Sequence, residues 1–386
     1  MNKPVYLNYA ATSIKKPKSM VEAVSKFIFE NNEAGYNQGL SLTDGLNIPF
    51  IGRETVADFF NVKDSSHVIF TQNITTSLNM IINGLLEAGD HVVTTSIEHN
   101  AVMRPLGLIG ERQWIEVTTI PCNHDGAIDL NDLEDAICSN TKVLIVNHAS
   151  NVLGNILPIR EMFEIAKRHN IITVLDSAQT AGFIPIDMVK DSIDILAFTG
   201  HKSLQAFPGI GGFAVTNEVA KVMKPWMVGG TGSLSHSFNQ PDTMPEKFES
   251  GTKNSIGILS LTESIKWLTK TGLNNIAKRE LEHVEVFLKG LEDLSVRVLG
   301  TKDASNRVPV VTIVADDISP DELSFKLYED YQIITRSGLH CAPSAHMVAG
   351  TFETGAIRFS FGYETTKEEV EYALESLKHC LGSIKI

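Results

Sequence analysis

The stretch LAFTGHKSLQAFPGIGGF, residues 196–213, runs from a short apolar segment into a histidine, a lysine and several glycines. An ammonium group is costly to bury without a partner, so Lys202 at the end of an apolar segment needs an explanation. One explanation is a solvated loop lysine. The other is a lysine that forms a Schiff base with a carbonyl compound, and the rest of the chain has to distinguish the two.

A second apolar segment, VLDSAQ at residues 174–179, ends in a similar way. Asp176 follows residues too apolar to surround an unpaired carboxylate, so we expect it to meet a cation or a protonated ring nitrogen. Gln179 follows shortly after and can reach the same ligand. A structural salt bridge or a helix cap is the alternative for Asp176.

Both segments belong to a series of short, β-branched apolar runs that alternate with helical patterns. Such alternation is typical of an α/β fold, in which a mostly parallel sheet is covered by helices on both faces. Ligands of open α/β sheets bind outside the carboxyl ends of the strands, so the polar residues after these runs are predicted to share one site. Those residues are Gln72 to Thr76, Glu98 and His99, Asn151, Asp176 to Gln179, and Thr199 to Lys202.

The pattern changes after the helical segment NSIGILSLTESIKWLTKTG, beyond which a long helix is predicted over residues 278–294 and strands over VPVVTIVA and AIRFSF. The segment ESGTKNS, residues 249–255, marks the predicted domain junction. A chain of 386 residues is also long for a single hydrophobic core. We therefore predict a large domain over residues 15–255 and a smaller α+β domain formed by residues 1–14 and 256–386.

Composition limits the classes of partner and compartment. The formal net charge of −13 argues against a nucleic-acid or anionic-membrane partner. No segment approaches the ~18 apolar residues of a membrane helix, and the first residues lack a signal-peptide core, so a cytoplasmic protein is expected. The four cysteines are far apart and form no CxxC pair, so neither a disulfide framework nor a metal site is expected.

Thr75 and Thr76 lie where a predicted strand passes into a helix. Free amides and the positive dipole end suit an anion there, although ordinary helix capping is the alternative. An amine at Lys202, an acid at Asp176 and a phosphate cup at these threonines are together what pyridoxal phosphate requires. His99 can stack on the cofactor ring, or it can be a satisfied loop residue.

Two further segments carry residues with possible roles in chemistry. TRSGLHCAPSAHMVAG places Cys341 in a loop, where Arg336 and His340 favour a thiolate; the alternative is a cysteine buried as a small hydrophobe. Arg358 lies inside the apolar run AIRFSF. Its guanidinium requires a carboxylate there, either that of a substrate or that of an internal Asp or Glu.

Nine motifs, in order along nearly the whole chain, resemble those of class V aminotransferase-fold enzymes. They are YLNYAAT, ITTSLNM, IEHNA, ASNVLGNILPI, VLDSAQ, FTGHK, FESGTKNS, RSGLHCA and IRFSFGYETT. Within that group the chain is most similar to cysteine desulfurases and selenocysteine lyases, and RSGLHCA resembles the group II, selenocysteine-lyase-like branch. The resemblance implies the type I fold of PLP-dependent transferases.

The resemblance also implies roles for the residues of the site. Lys202 would be the Schiff-base lysine and proton shuttle, and His99 would stack on the ring. Asp176 would hold the pyridinium, Gln179 the ring hydroxyl, and Cys341 would attack the substrate sulfur and carry a persulfide. The remaining residues would bind the phosphate (Thr75, Thr76, Thr199, His201 and, from the neighbouring subunit, Thr252) or the substrate carboxylate (Asn151 and Arg358).

The implied activity is that of a pyridoxal 5'-phosphate-dependent cysteine desulfurase, which converts L-cysteine to L-alanine, with selenocysteine as a second substrate. The implied assembly is a homodimer that passes sulfur or selenium to a protein acceptor. One alternative is another enzyme of this fold, an aminotransferase or kynureninase-like lyase, in which Cys341 is incidental. A cofactor-free hydrolase using Cys341 with His340 or His346, and a non-enzymatic sulfur carrier, are the others.

Three positions depart from the family pattern. Asn8 stands where aspartate is usual, and Ile74 stands where glycine is usual. The loop AGYNQG lacks an arginine or histidine that relatives often have. These departures concern the phosphate cup and the substrate entrance, and they leave the set of Lys202, Asp176 and Cys341 intact.

Overall fold

A seven-stranded sheet forms the centre of the computed structural model, which describes residues 4–30 and 48–382. The loop AGYNQG lies outside the described residues. The elements up to residue 271 are β1 (Val5–Tyr6), α1 (Lys18–Glu30), α2 (Ile48–Phe60), β2 (Val68–Thr71), α3 (Ile74–Leu85), β3 (His91–Thr95), α4 (Asn100–Gln113), β4 (Glu116–Ile120), α5 (Leu130–Ala136), β5 (Thr141–Asn147), α6 (Ile159–Arg168), β6 (Ile172–Asp176), β7 (Ile195–Thr199), β8 (Gly211–Val215), α7 (Asn217–Val222) and α8 (Ser255–Thr271).

The strand order of the central sheet is β2-β8-β7-β6-β5-β3-β4, and all strands except β8 run in the same direction. Successive side chains point to opposite faces, so Val92 packs into one core and Val93 into the other. Helices α3, α4 and α7 cover the first face, and α2, α6 and α8 cover the second. The predicted α/β class with a mostly parallel sheet is confirmed.

The rest of the chain forms a second, antiparallel sheet with helices. Its elements are α9 (Leu273–Leu291), β9 (Val296–Leu299), β10 (Val310–Ala315), α10 (Pro320–Tyr331), β11 (Ile333–Ile334), β12 (Arg336–Gly338), α11 (Pro343–Val348), β13 (Ala356–Ser360) and α12 (Lys367–Gly382). The sheet order is β12-β13-β10-β9. Its core brings Phe287 of α9 against Phe359 of β13, with Leu7 from the start of the chain.

The beginning of the chain joins this second part, since β1 pairs in parallel with β11. The boundary of the two domains at residues 15 and 255 stays a prediction. The helix predicted over residues 278–294 begins earlier, at Leu273, because Gly272 ends α8 with a φ of +85° and α9 follows at once. Across the described residues, no helix has the length and apolar character needed to cross a membrane.

Candidate active site

The predicted site residues collect at one edge of the central sheet. Strands β2, β3, β5, β6 and β7 run in the same direction, so their carboxyl ends meet at that edge. Strands β6 and β7 are direct neighbours, with Asp176 opposite Ala197. Asp176 is the last residue of β6 and Lys202 follows β7, so the two residues lie at the ends of adjacent strands, as the two apolar segments of the sequence predicted.

Lys202 is half-buried, and within the described residues its ammonium makes no hydrogen bond. Burial lowers the pKa of Lys202 to about 8. The charges of Asp176 and Cys341 raise this pKa, whereas the charges of Arg358 and Arg336 lower it. An amine that is desolvated among four charged or ionisable groups does not fit the explanation of a solvated loop lysine.

The start of the chain holds the loop that carries Lys202. The carbonyl oxygen of His201 accepts hydrogen bonds from the Ser13 amide (2.9 Å) and hydroxyl (2.9 Å), from Thr12 Oγ1 (3.3 Å) and from Lys16 Nζ (3.4 Å). Lys16 Nζ also donates to the Ala206 carbonyl over 2.6 Å, and burial lowers its pKa to about 8. We call these contacts the His201 clamp. No local spacing predicts it, because the partners are far apart in sequence.

Asp176 is 4% exposed, and burial raises the pKa of its carboxyl, whereas the charge of Lys202 lowers it. One oxygen accepts a hydrogen bond from the Ala178 amide over 2.9 Å. Among the described residues Asp176 forms no salt bridge, so the alternative of a structural ion pair is not seen. Gln179 is also buried and donates from Nε2 to the Ala10 carbonyl over 3.4 Å.

Glu98 lies close enough to Asp176 for the two carboxyls to affect each other. It is fully buried, and burial raises its pKa to about 8, with a smaller contribution from the charge of Asp176. Its Oε1 accepts from Thr95 Oγ1 (2.7 Å) and from the Asn147 amide (3.0 Å), while no described residue pairs with Oε2. This acid is therefore neutral at pH 7. Glu98 stood out in the sequence only as a polar residue after a strand.

His99 caps helix α4. Its Nδ1 accepts a hydrogen bond from the Ala101 amide over 3.0 Å, which leaves the ring proton on Nε2. Burial, followed by the charges of Lys202, Arg336 and other arginines, lowers the pKa of His99 to about 4. The residue thus presents a neutral imidazole to the site.

The predicted phosphate-binding residues differ in their surroundings. Thr199 Oγ1 is buried and forms no hydrogen bond to a described residue, and His201 Nδ1 contacts Thr12 Oγ1 at 3.1 Å. Thr76 and Thr252 line one cavity of about 150 Å³. The amide of Thr76 is already capped by Asn73 Oδ1 over 3.0 Å, and Thr75 is exposed.

Arg358 is 1% exposed and has no carboxylate partner among the described residues. Its Nη1 donates to the Asn151 carbonyl (3.1 Å) and its Nη2 to Asn8 Oδ1 (3.0 Å), while Nε finds no partner in the part of the chain that the structure describes. Burial and the charge of Arg336 lower the pKa of Arg358 to about 9. The alternative of an internal acid therefore fails, and a buried cation remains available for an anionic ligand.

Cys341 is exposed, so the alternative of a small buried hydrophobe fails as well. Its Sγ lies 3.5 Å from Arg336 Nη2, and its carbonyl accepts from the Asn100 amide over 2.8 Å. Asn151, predicted to bind substrate, donates its side-chain amide to the carbonyl of His340 over 2.8 Å. The loop of Cys341 is thus tied to the ends of β3 and β5.

The comparison with known families agrees with this geometry. Residues 5–373 match the family model described as Aminotransferase class-V. The chain belongs to the class-V aminotransferase family.

Its relatives within the family are named as cysteine desulfurases. The chain is 31% identical to a probable cysteine desulfurase of Halalkalibacterium halodurans, covering 98% of this chain and 94% of the relative. It is 30% identical to a probable cysteine desulfurase of Pyrococcus abyssi, covering 99% and 95%. The apo structure of cysteine desulfurase from Thermococcus onnurineus NA1 superposes with a TM-score of 0.90 at 29% identity, covering 98% and 95%. Within the class-V aminotransferase family, the chain is therefore similar to the cysteine desulfurases.

Three polar groups of this site fit pyridoxal phosphate. Lys202 offers an amine, Asp176 offers a buried carboxylate for a ring N–H, and Thr199 offers a buried hydroxyl that pairs with no described residue. An aldehyde, a pyridine nitrogen and a phosphate are the groups that would use them.

Proposed function

We propose that the chain is a pyridoxal phosphate-dependent cysteine desulfurase that converts L-cysteine to L-alanine and takes up the sulfur as a persulfide on Cys341. The observation that carries this proposal is the set of charges acting on Lys202, which includes both Asp176 and Cys341. An amine for the cofactor and a thiol for the substrate sulfur therefore share one site.

The cofactor would be held by Lys202 at its aldehyde, Asp176 at the ring nitrogen, Gln179 at the ring hydroxyl and His99 on the ring face. Its phosphate would meet Thr75, Thr76, Thr199, His201 and, from the neighbouring subunit, Thr252. When bound, pyridoxal phosphate supplies an electron sink next to the substrate Cα. Asp176 would keep the ring nitrogen protonated, which is why a carboxylate is needed at this position.

Lys202 moves the proton. A pKa of about 8 leaves part of the lysine neutral near pH 7, so it can take the proton from the substrate Cα and return it. His99, neutral and capped onto α4, adds no competing positive charge to the ring face. Arg358 and Asn151 would orient the substrate through its α-carboxylate.

Cys341 takes the sulfur. Its thiolate attacks the substrate sulfur, a sulfur–sulfur bond forms, and the Cβ–sulfur bond breaks with its electron pair on carbon. Protonation of Cβ completes L-alanine, and Cys341 retains a persulfide. Selenocysteine is a second substrate, because selenium leaves carbon with less help from a nucleophile.

A homodimer and a protein acceptor complete the proposal. Trp226 is half-exposed and Phe238 fully exposed, which suits a segment that is covered by a second subunit, and Thr252 is exposed nearby in sequence. The exposed Cys341 suits transfer of the persulfide to a protein thiol, and a free thiol of this kind suits the reducing cytoplasm. Light scattering of the purified holoenzyme would measure the subunit number.

The deciding experiment combines absorbance with product analysis. The holoenzyme is expected to show the visible absorbance of lysine-bound pyridoxal phosphate and to form alanine from L-cysteine. Lys202→Ala should lose both. Glutamate formation instead of alanine would identify an aminotransferase in which Cys341 is incidental, and turnover without any cofactor absorbance would identify a cofactor-free hydrolase.

A further inference from the structure

The thiol of Cys341 stands on a strained turn. His340 has a φ of +51° and Cys341 a φ of +57°, so two consecutive residues with side chains adopt the left-handed conformation. This conformation is unfavourable for every residue other than glycine, because Cβ comes close to the following carbonyl oxygen. Such a turn persists only where its surroundings fix it.

Backbone contacts explain part of that fixation. The carbonyl of His340 accepts from Asn151 Nδ2 and the carbonyl of Cys341 accepts from the Asn100 amide, both over 2.8 Å. These bonds position the two carbonyl oxygens. They leave the side chain of His340 to be fixed by something else.

A chain of hydrogen bonds behind the turn fixes that side chain. His340 Nε2 lies 3.0 Å from the Arg336 carbonyl, His340 Nδ1 lies 3.1 Å from His346 Nε2, and His346 Nδ1 lies 2.7 Å from Thr351 Oγ1. The two imidazole rings stack with an interplanar angle of 12°. His340 is 3% exposed, and His346 is fully buried.

The direction of each hydrogen bond in this series follows from the Arg336 carbonyl, the acceptor at which the series begins. The Arg336 carbonyl can only accept, so His340 carries its proton on Nε2 and its Nδ1 is an acceptor. His346 Nε2 must then donate to His340, and Thr351 Oγ1 must donate to His346 Nδ1. Burial lowers the pKa of His340 to about 2 and that of His346 to about 4, so both rings are neutral, as this arrangement requires.

We propose that His346, oriented by Thr351, is a positioning residue for sulfur transfer, because it fixes His340 and so holds Cys341 in its left-handed conformation. His346 does not touch the thiol. It acts through the ring of His340, one residue before the nucleophile. The proposal rests on the cysteine desulfurase activity proposed above and names a residue outside the predicted site.

The test is His346→Phe in the holoenzyme. Phenylalanine keeps the buried, stacked ring but removes both hydrogen bonds. We expect kcat for alanine formation from L-cysteine to fall by about 10- to 100-fold, as a displaced nucleophile would cause, with KM changed less than about threefold. Mass spectrometry of Cys341 after one turnover should show a matching loss of persulfide. The absorbance change on adding L-alanine, which needs the cofactor site but no thiol, should stay as in the wild type.

Three further variants test whether the effect comes from the loss of these hydrogen bonds. His346→Gln is expected to restore most of kcat, because its amide nitrogen can replace Nε2 as the donor. His124→Phe is the control, since the exposed His124 contacts the carbonyl of Val348 at the end of α11, the helix that carries His346, and it should behave as wild type. Thr351→Val should lower kcat about threefold or more, and it decides the question if His346→Phe does not fold.

The proposal is overturned if His346→Phe retains the kcat and the persulfide yield of the wild-type enzyme. If His346→Phe does not fold, the same result in Thr351→Val overturns it. It is also overturned if the response to L-alanine is lost together with kcat, because the residue would then be merely structural. Failure of the wild-type holoenzyme to form alanine from L-cysteine would instead refute the proposed function.

Discussion

Arg358 Nη2 donates to Asn8 Oδ1 over 3.0 Å, and 350 positions of sequence separate the two residues. Asn8 stands where the resembling family usually has aspartate. An asparagine orients the guanidinium without neutralising it, so the full positive charge is kept for an incoming carboxylate. The departure noted in the sequence thus concerns a direct contact of the proposed substrate-binding arginine.

Asn8→Asp should weaken substrate binding. The new carboxylate would compete with the substrate for Arg358, and an interaction with a charged group is worth about 1.5–3 kcal/mol, so KM for L-cysteine should rise about tenfold or more. The change in kcat should be smaller. Asn8→Ser is the neutral control and should stay within about threefold of the wild-type KM. An unchanged KM in Asn8→Asp would show that Arg358 does not bind the substrate carboxylate.

Glu98→Gln should alter how stability depends on pH. The folded-state pKa of Glu98, about 8, lies above its ordinary value of 4.5, so between these values the folded state holds a proton that the unfolded state has lost. Wild-type stability should therefore fall as pH rises through this window, by up to roughly 1 kcal/mol per pH unit from this residue. Glutamine mimics the neutral acid and keeps the acceptor for Thr95 and Asn147.

Thermal unfolding of the holoenzyme at pH 5.5, 6.5 and 7.5 would measure this effect. The Tm of Glu98→Gln relative to that of the wild type should increase with each increase in pH. A difference that stays constant across the three pH values would mean that Glu98 is charged in the folded protein.

Lys16→Met should loosen the loop of Lys202. The variant loses the donor to His201 and Ala206, which should cost about 1–3 kcal/mol in stability and lower the affinity for pyridoxal phosphate. Cofactor release on dilution, followed by absorbance, measures the second effect. Lys15→Met is the control, because Lys15 is exposed and donates to the Glu364 carbonyl rather than to His201 or Ala206. Equal cofactor retention in the two variants would show that the His201 clamp does not help to hold the cofactor.

Cys341→Ala should have different effects on the reactions of the two proposed substrates, L-cysteine and selenocysteine. Alanine formation from L-cysteine should fall by at least about 100-fold, because no thiolate is present to accept sulfur. Selenide release from selenocysteine should persist, since that bond breaks with less nucleophilic help. Cys138→Ala removes another exposed cysteine and should leave both reactions unchanged. Full desulfuration by Cys341→Ala would refute the assignment of the nucleophile.

The sequence predicted those parts of the site that depend on strand ends. Asp176 and Lys202 could be placed together because polar residues after buried parallel strands must meet at one edge of the sheet. The His201 clamp and the contact of Asn8 with Arg358 could not be predicted, because no periodic pattern links residues so far apart. The role of Glu98 was missed for another reason: its neutrality depends on complete burial, which no property of the local sequence reports.

The His201 clamp and the Asn8–Arg358 contact together determine when the site can form during biosynthesis. Asn8 and Lys16 are synthesised long before His201, and Arg358 is synthesised later still. His201, the partner of Lys16, and Arg358, the partner of Asn8, must therefore both be made before the lysine loop and the carboxylate-binding arginine are held in place. A nascent chain that stops before β13 is expected to retain no pyridoxal phosphate, and cofactor uptake would distinguish completed chains from truncated ones.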